Sequence, residues 1–155
     1  MLKNIRNKMQ DDKGFTLIEL MVVVLIIAIL IAIAIPTFLG LRRRAQDRAA
    51  QSNLRNGLTA AKAFYTDDET YAGFTEASGE PQAIEPSLTW VDGNPANVGE
   101  VGITLPVTVP AGQEVVLNAV SASENEFCIA DSSTSGTNRG DAFAATFAAC
   151  GPDDW

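Results

Sequence analysis

From Leu20 to Leu41 the chain runs for 22 positions without a charge, and Leu20–Ile35 are apolar without exception. Neither a 3.6 nor a 2 period divides this run into a wet and a dry face, so it predicts a helix that avoids water all round. Such a helix is ~33 Å long, about the thickness of a bilayer's hydrocarbon core. A chain of 155 residues has no core able to bury that rod, which therefore belongs in lipid or in a bundle of copies. Pro36 lies inside the run, where it removes one backbone donor and is expected to kink or locally melt the helix. Farther on, Leu54, Leu58, Ala61 and Tyr65 form one apolar stripe at helical spacing. Gly57 weakens this stretch by about 1 kcal/mol relative to Ala. The expected helix covers 15–65, with 15–41 as its membrane-spanning or bundle-core part.

Beyond Tyr65 the pattern changes. Gly73, Gly79, Pro81, Pro86, Gly93, Pro95 and Gly99 punctuate 66–100, which reads as a long connecting loop with one short strand near Leu88–Val91. Strands are expected at Val101–Val109, Val115–Val120, Phe127–Ala130 and Phe143–Phe147. Pro110-Ala111-Gly112 suits a hairpin turn between the first two, and Pro106 suits an edge strand or bulge. The Ser/Thr/Gly-rich Asp131–Gly140 is expected as the loop of the last hairpin. A long helix followed by a small antiparallel sheet is an α+β architecture, with the head at 66–155.

Charge divides the chain further. Residues 1–14 hold four bases against Asp11 and Asp12, and 15–41 hold only Glu19. Residues 42–63 hold six bases against Asp47, whereas Phe64–Trp155 hold 15 acids against Arg139 alone. A net charge of −8 and a pI near 4.4 argue against a general nucleic-acid coat. The chain contains no histidine, so His triads, His metal sites and histidine pH switches are excluded. No Gly-rich phosphate loop, nucleophile elbow or EF-hand spacing occurs. Asp67-Asp68-Glu69 reads as a solvated acidic turn rather than a cation site, and Asp131 with Ser132 and Ser133 is a weak calcium candidate. The sequence thus offers no catalytic residues, no metal site and no cofactor.

The most informative stretch is Lys13-Gly14-Phe15-Thr16-Leu17-Ile18-Glu19-Leu20. A carboxylate in an apolar helix costs roughly 2.5–3.5 kcal/mol at the bilayer centre, so Glu19 needs compensation. A cut after Gly14 would give Phe15 a free amine, and a neighbouring copy's amine could neutralise Glu19 inside an apolar bundle. Ala32-Ile33-Ala34 looks like an ordinary signal-cleavage site, but the apolar run is too long for one and Pro36 follows closely.

From Gly14 to Pro36 the chain closely resembles the type IV pilins, with their short basic leader, Gly-Phe-Thr-Leu-Ile-Glu junction and long apolar helix. The resemblance implies a pilin fold, a leader at 1–14, cleavage between Gly14 and Phe15 by a prepilin peptidase, and N-methylation of Phe15. It gives Glu19 a part in filament assembly. It implies a homo-oligomeric helical filament, assembled from the cytoplasmic membrane by ATPases and a platform protein and displayed outside the cell. Membrane lipid is the partner before assembly; adhesion, motility or DNA uptake would be the use. Lysines and arginines, four before the rod and five after it, leave topology open or slightly favour the head inside. The resemblance, the cysteines and the acidic head favour the head outside.

In an exported protein Cys128 and Cys150 are read as a disulfide, with free structural thiols as the alternative. Arg42, Arg43 and Arg44 have three readings: a solvated or headgroup-facing flank, pairing with acidic heads of adjacent subunits, or a weak nucleic-acid contact. Ser and Thr between 121 and 137 are open to glycosylation. The rival functions are a pseudopilin of a secretion or competence system and a membrane-anchored monomeric binding module.

Overall fold

The computed structural model of the protein describes residues 14–107, 112–151 and 155. The elements are α1 (Leu17–Asp68), a 3-10 turn (Glu76–Ser78), α2 (Glu80–Ile84), β1 (Thr89–Asp92), β2 (Glu100–Thr104), β3 (Glu114–Val120), β4 (Glu126–Ser132) and β5 (Gly136–Gly140). The chain divides after Leu41 into two units, 1–41 and 42–155. In the first, every described residue is exposed, the large aliphatic side chains included.

In the second unit α1 buries Ala50, Leu54, Gly57, Leu58, Ala60, Ala61 and Phe64. The expected stripe is this face, with Tyr65 at its margin. Gly57 has a purpose beyond its helical cost: a Cβ there would stand 3.1 Å from Leu117 Cδ1 and 3.2 Å from Trp90 Cη2. The small residue lets the sheet approach the helix backbone closely.

The five strands lie in sequence order, β1-β2-β3-β4-β5. Three pairings are antiparallel, but β1 and β2 are parallel, with Thr89 opposite Glu100. The intervening loop returns across β2, and a side chain at Gly102 would collide with the Gly93 carbonyl and Pro95. Alternation sorts β3 between two layers. Val115, Leu117 and Ala119 join the core with α1, whereas Val116 packs with Cys128, Ala130, Ala144 and Cys150 in a second cluster.

That second layer corrects the expected C-terminal hairpin. Gly136–Gly140 is a strand paired with β4, Cys128 opposite Gly140, so 131–140 is not a loop. Residues 143–147 form no strand; they are an irregular cover on the far face of the sheet. Asn118, fully buried in β3, takes the place of a ladder there: its amide donates to the Ala144 carbonyl at 2.9 Å and its oxygen accepts the Ala144 N–H at 3.0 Å. The expected strand from Val101 ends at Thr104, with Pro106 beyond it; Thr108, Val109, Pro110 and Ala111 of the expected strand end and turn lie outside the described residues. The connecting segment 69–88 is also better ordered than a plain loop. Tyr71 and Phe74 are buried, and the Phe74 ring packs tilted against Phe64 and edge-on against Trp90, at centroid distances of 5.5 and 5.6 Å.

Candidate functional site

Gly14, Phe15 and Thr16 precede α1 as exposed, non-helical chain. The Gly14–Phe15 peptide, the expected point of cleavage, thus lies outside the helix. Phe15 is 91% exposed. Thr16 then starts the helix in a reciprocal cap. The Glu19 carboxylate accepts the Thr16 N–H at 2.8 Å and the Thr16 hydroxyl at 2.7 Å, while the Glu19 N–H donates to the Thr16 hydroxyl at 3.2 Å. This is a capping box, a device worth about 1 kcal/mol. Its Thr-x-x-Glu spacing is plain in the sequence.

Pro36 does not melt α1, which continues helical on both sides of it. Pro36 cannot donate to the Ala32 carbonyl four residues back. One residue on, the Thr37 hydroxyl donates to the Ile33 carbonyl at 3.2 Å, adding a bond at the weakened turn.

Arg42, Arg43 and Arg44 are exposed and make no hydrogen bond or ion pair among the described residues. The nearby acid, Asp47, turns elsewhere. Its carboxylate accepts the Ser121 hydroxyl at 2.8 Å, the Ser123 hydroxyl, and the Asn125 amide at 3.1 Å. Partial burial pushes the Asp47 carboxyl up, but the bonds from Ser123, Ser121 and Asn125 outweigh it and hold the group below its ordinary range. Asp47 thereby fastens the β3–β4 turn to the helix.

Asp131 is equally committed. Its carboxylate accepts the Tyr71 hydroxyl at 2.7 Å and the Thr137 hydroxyl at 2.6 Å, and Lys62 Nζ stands 2.8 Å away. The calcium reading of Asp131 therefore lacks free oxygens. Burial and the bond to Asp131 push the Tyr71 phenol well above the ordinary tyrosine range. Among the described residues no three acids or cysteines converge as metal ligands.

Cys128 and Cys150 form a disulfide with Cα atoms 5.9 Å apart, and both are buried. The bridge fixes the end of the irregular cover to β4. Asp67, Asp68 and Glu69 are exposed at the end of α1, where Glu69 turns out of the helix with φ 53°.

Residues 9–35 match the family model described as the prokaryotic N-terminal methylation motif. The type IV wide pilus major component PilA4 of Thermus thermophilus is 32% identical over 129 residues, 83% of this chain and 79% of that protein. The type IV major pilin protein PilA of Myxococcus xanthus is 46% identical over 68 residues, 44% of this chain but only 31% of its own length. A type IV major fimbrial protein FimA of Dichelobacter nodosus is 36% identical over 108 residues, 66% of this chain and 67% of the relative. No solved structure gives a significant match.

Proposed function

The chain belongs to the type IV pilin family, and from that premise we propose that it is the major structural subunit of a type IV pilus. The carrying observation is the junction itself: an exposed Gly14–Phe15 peptide, a capped Glu19, and a helix whose apolar side chains from Leu17 to Leu41 are all uncovered. Apolar surface on this scale is stable only out of water, at about 25 cal/mol for each Å² covered. Lipid covers it first, with the chain held in the cytoplasmic membrane. Helices of other copies cover it next, in an extracellular filament.

A prepilin peptidase cuts between Gly14 and Phe15 and the new amine is methylated. Glu19 then receives the Phe15 amine of a neighbouring copy and so sets the register between subunits. The Thr16 cap supports this reading, since it holds the carboxylate at the helix start in hydrogen bonds that an arriving ammonium can join. The helix is most adaptable at Pro36, where one backbone bond is absent. Once in the filament, and no longer facing lipid, Arg42, Arg43 and Arg44 offer counter-charge to the acidic heads of the several copies around them. Assembly ATPases and a membrane platform protein drive polymerisation, and the disulfide-braced head faces outward.

Intact-mass and N-terminal analysis of the protein from membranes and from sheared surface material tests the processing. The expected chain begins at Phe15 and carries the mass of one added methyl group. A chain that keeps residues 1–14, or that is cut after Ala34, would overturn the reading.

A further inference from the structure

The described residues include seven cations, and the fold employs three. Lys62 pairs with Asp131, while Arg55 and Arg139 lie 5.0 and 5.7 Å from the Trp155 ring centre. Arg42, Arg43, Arg44 and Arg48 are exposed, with no hydrogen-bond or ion-pair partner among the described residues. Asp47 is the sole acid between Arg42 and Lys62. Four residues after Arg43, it is the natural counter-charge on the helix surface, but its oxygens are given to Ser121, Ser123 and Asn125. The first buried residue of α1 is Ala50. The helix therefore presents four arginines with their local anion withdrawn.

Two geometric facts choose the partner. At about 100° per residue, positions 42, 43, 44 and 48 spread around three sides of the helix. A single flat protein face cannot meet them together, but a surrounding shell of anions can. They also begin immediately after an uncharged run ~33 Å long, so they stand at headgroup depth when that run crosses the hydrocarbon. Guanidinium groups match phosphate oxygens in paired hydrogen bonds.

We propose that Arg42, Arg43 and Arg44, with Arg48, form a collar that binds the phosphates of anionic phospholipids during the membrane stage of this chain. The inference rests on the membrane-anchored reading above and adds a lipid class to it. The collar holds the rod at a fixed depth, and its lipids must be exchanged when the subunit leaves the bilayer.

The test uses the full chain reconstituted in phosphatidylcholine vesicles with spin-labelled phosphatidylglycerol or spin-labelled phosphatidylcholine as probe. The wild-type chain should immobilise the anionic probe with about tenfold preference, weakening as salt rises. The Arg42→Gln/Arg43→Gln/Arg44→Gln variant should lose most of that preference, and Arg42→Lys/Arg43→Lys/Arg44→Lys should keep only part of it, the charge remaining but the paired hydrogen bonds being lost. A chain with Lys3, Arg6, Lys8 and Lys13 changed to Gln should keep most of the preference. Equal probe binding by the wild-type chain, or preference retained by the triple-Gln variant or lost only in the leader variant, would overturn the collar. So would self-association lost in the triple-Gln variant with lipid preference unchanged, which would assign the arginines to a second copy. If the triple-Gln variant does not insert, a wild-type preference insensitive to salt is the contrary result. Failure of the wild-type chain to enter vesicles at all would instead contradict the membrane stage on which the inference rests.

Discussion

Asp47 and Ser121, 74 positions apart in sequence, meet at 2.8 Å through a hydroxyl–carboxylate hydrogen bond. With Ser123 and Asn125 on the same carboxylate, this contact ties the far end of the β3–β4 hairpin to α1. The lone acid of a basic stretch is thus a fastening point of the head, and its use there leaves the neighbouring arginines without a partner among the described residues.

Replacing Asp47 by Ala leaves three donors without their acceptor and should cost about 1–3 kcal/mol. Denaturant unfolding of the full chain in detergent measures this. The pH dependence has a definite sign. The folded carboxyl lies below its unfolded value, so its stabilisation is present above the ordinary Asp range near pH 4 and is lost as pH falls through the folded value. Thermal melts of wild type should therefore drop more steeply on acidification than those of Asp47→Asn.

Tyr71 acts at the other end of the scale. Its phenol is raised by burial and by Asp131, so its stabilisation is complete below the ordinary tyrosine value near 10 and fails as pH climbs beyond it. Tyr71→Phe should reduce this alkaline sensitivity. It should also cost about 1–2 kcal/mol at neutral pH, because one Asp131 oxygen loses its donor.

Gly57 distinguishes close packing from simple helix propensity. An exposed helical Gly changed to Ala gains about 1 kcal/mol. Here the new methyl meets Leu117 and Trp90 at 3.1 and 3.2 Å, so Gly57→Ala should gain little and Gly57→Val should lose about 1–3 kcal/mol. Equal stabilisation by both in unfolding experiments would contradict the packing described.

Changing both Cys128 and Cys150 to Ser should lower stability by roughly 3 kcal/mol, as expected for closing a loop of this length. The loss should concentrate in 141–150, which covers the sheet's far face. Hydrogen exchange should show early release of the Ala144 amide, now held by Asn118.

The parts that sequence discloses and those it hides differ for physical reasons. The apolar rod and the Leu54–Leu58–Ala61 stripe are legible because burial imposes period or continuity on many residues at once. The family was legible from Gly14 to Pro36, where a Gly-Phe-Thr-Leu-Ile-Glu junction, a lone acid and a long apolar run combine. β5 was hidden because Gly136-Thr137-Asn138-Arg139-Gly140 lacks the β-branched, alternating pattern of a strand; pairing with β4 makes it one. Phe143–Phe147 misled in the opposite way, since its apolar residues fill a face without joining a ladder. The parallel β1–β2 pair depends on the loop crossing Gly102, a tertiary relation with no local pattern. Asp47 carried a signal in its isolation among six bases, but its partners lie on a turn that only folding brings near.

The central claim, that this chain is a filament subunit assembled through its N-terminal helix, is tested most directly by electron microscopy of sheared surface material from cells expressing wild-type or Glu19→Ala protein. Wild type should yield long filaments made of this chain beginning at Phe15. Glu19→Ala should yield few or none, with processed protein retained in the membrane. Wild-type cells without filaments, or filaments as abundant and stable in Glu19→Ala as in wild type, would contradict it.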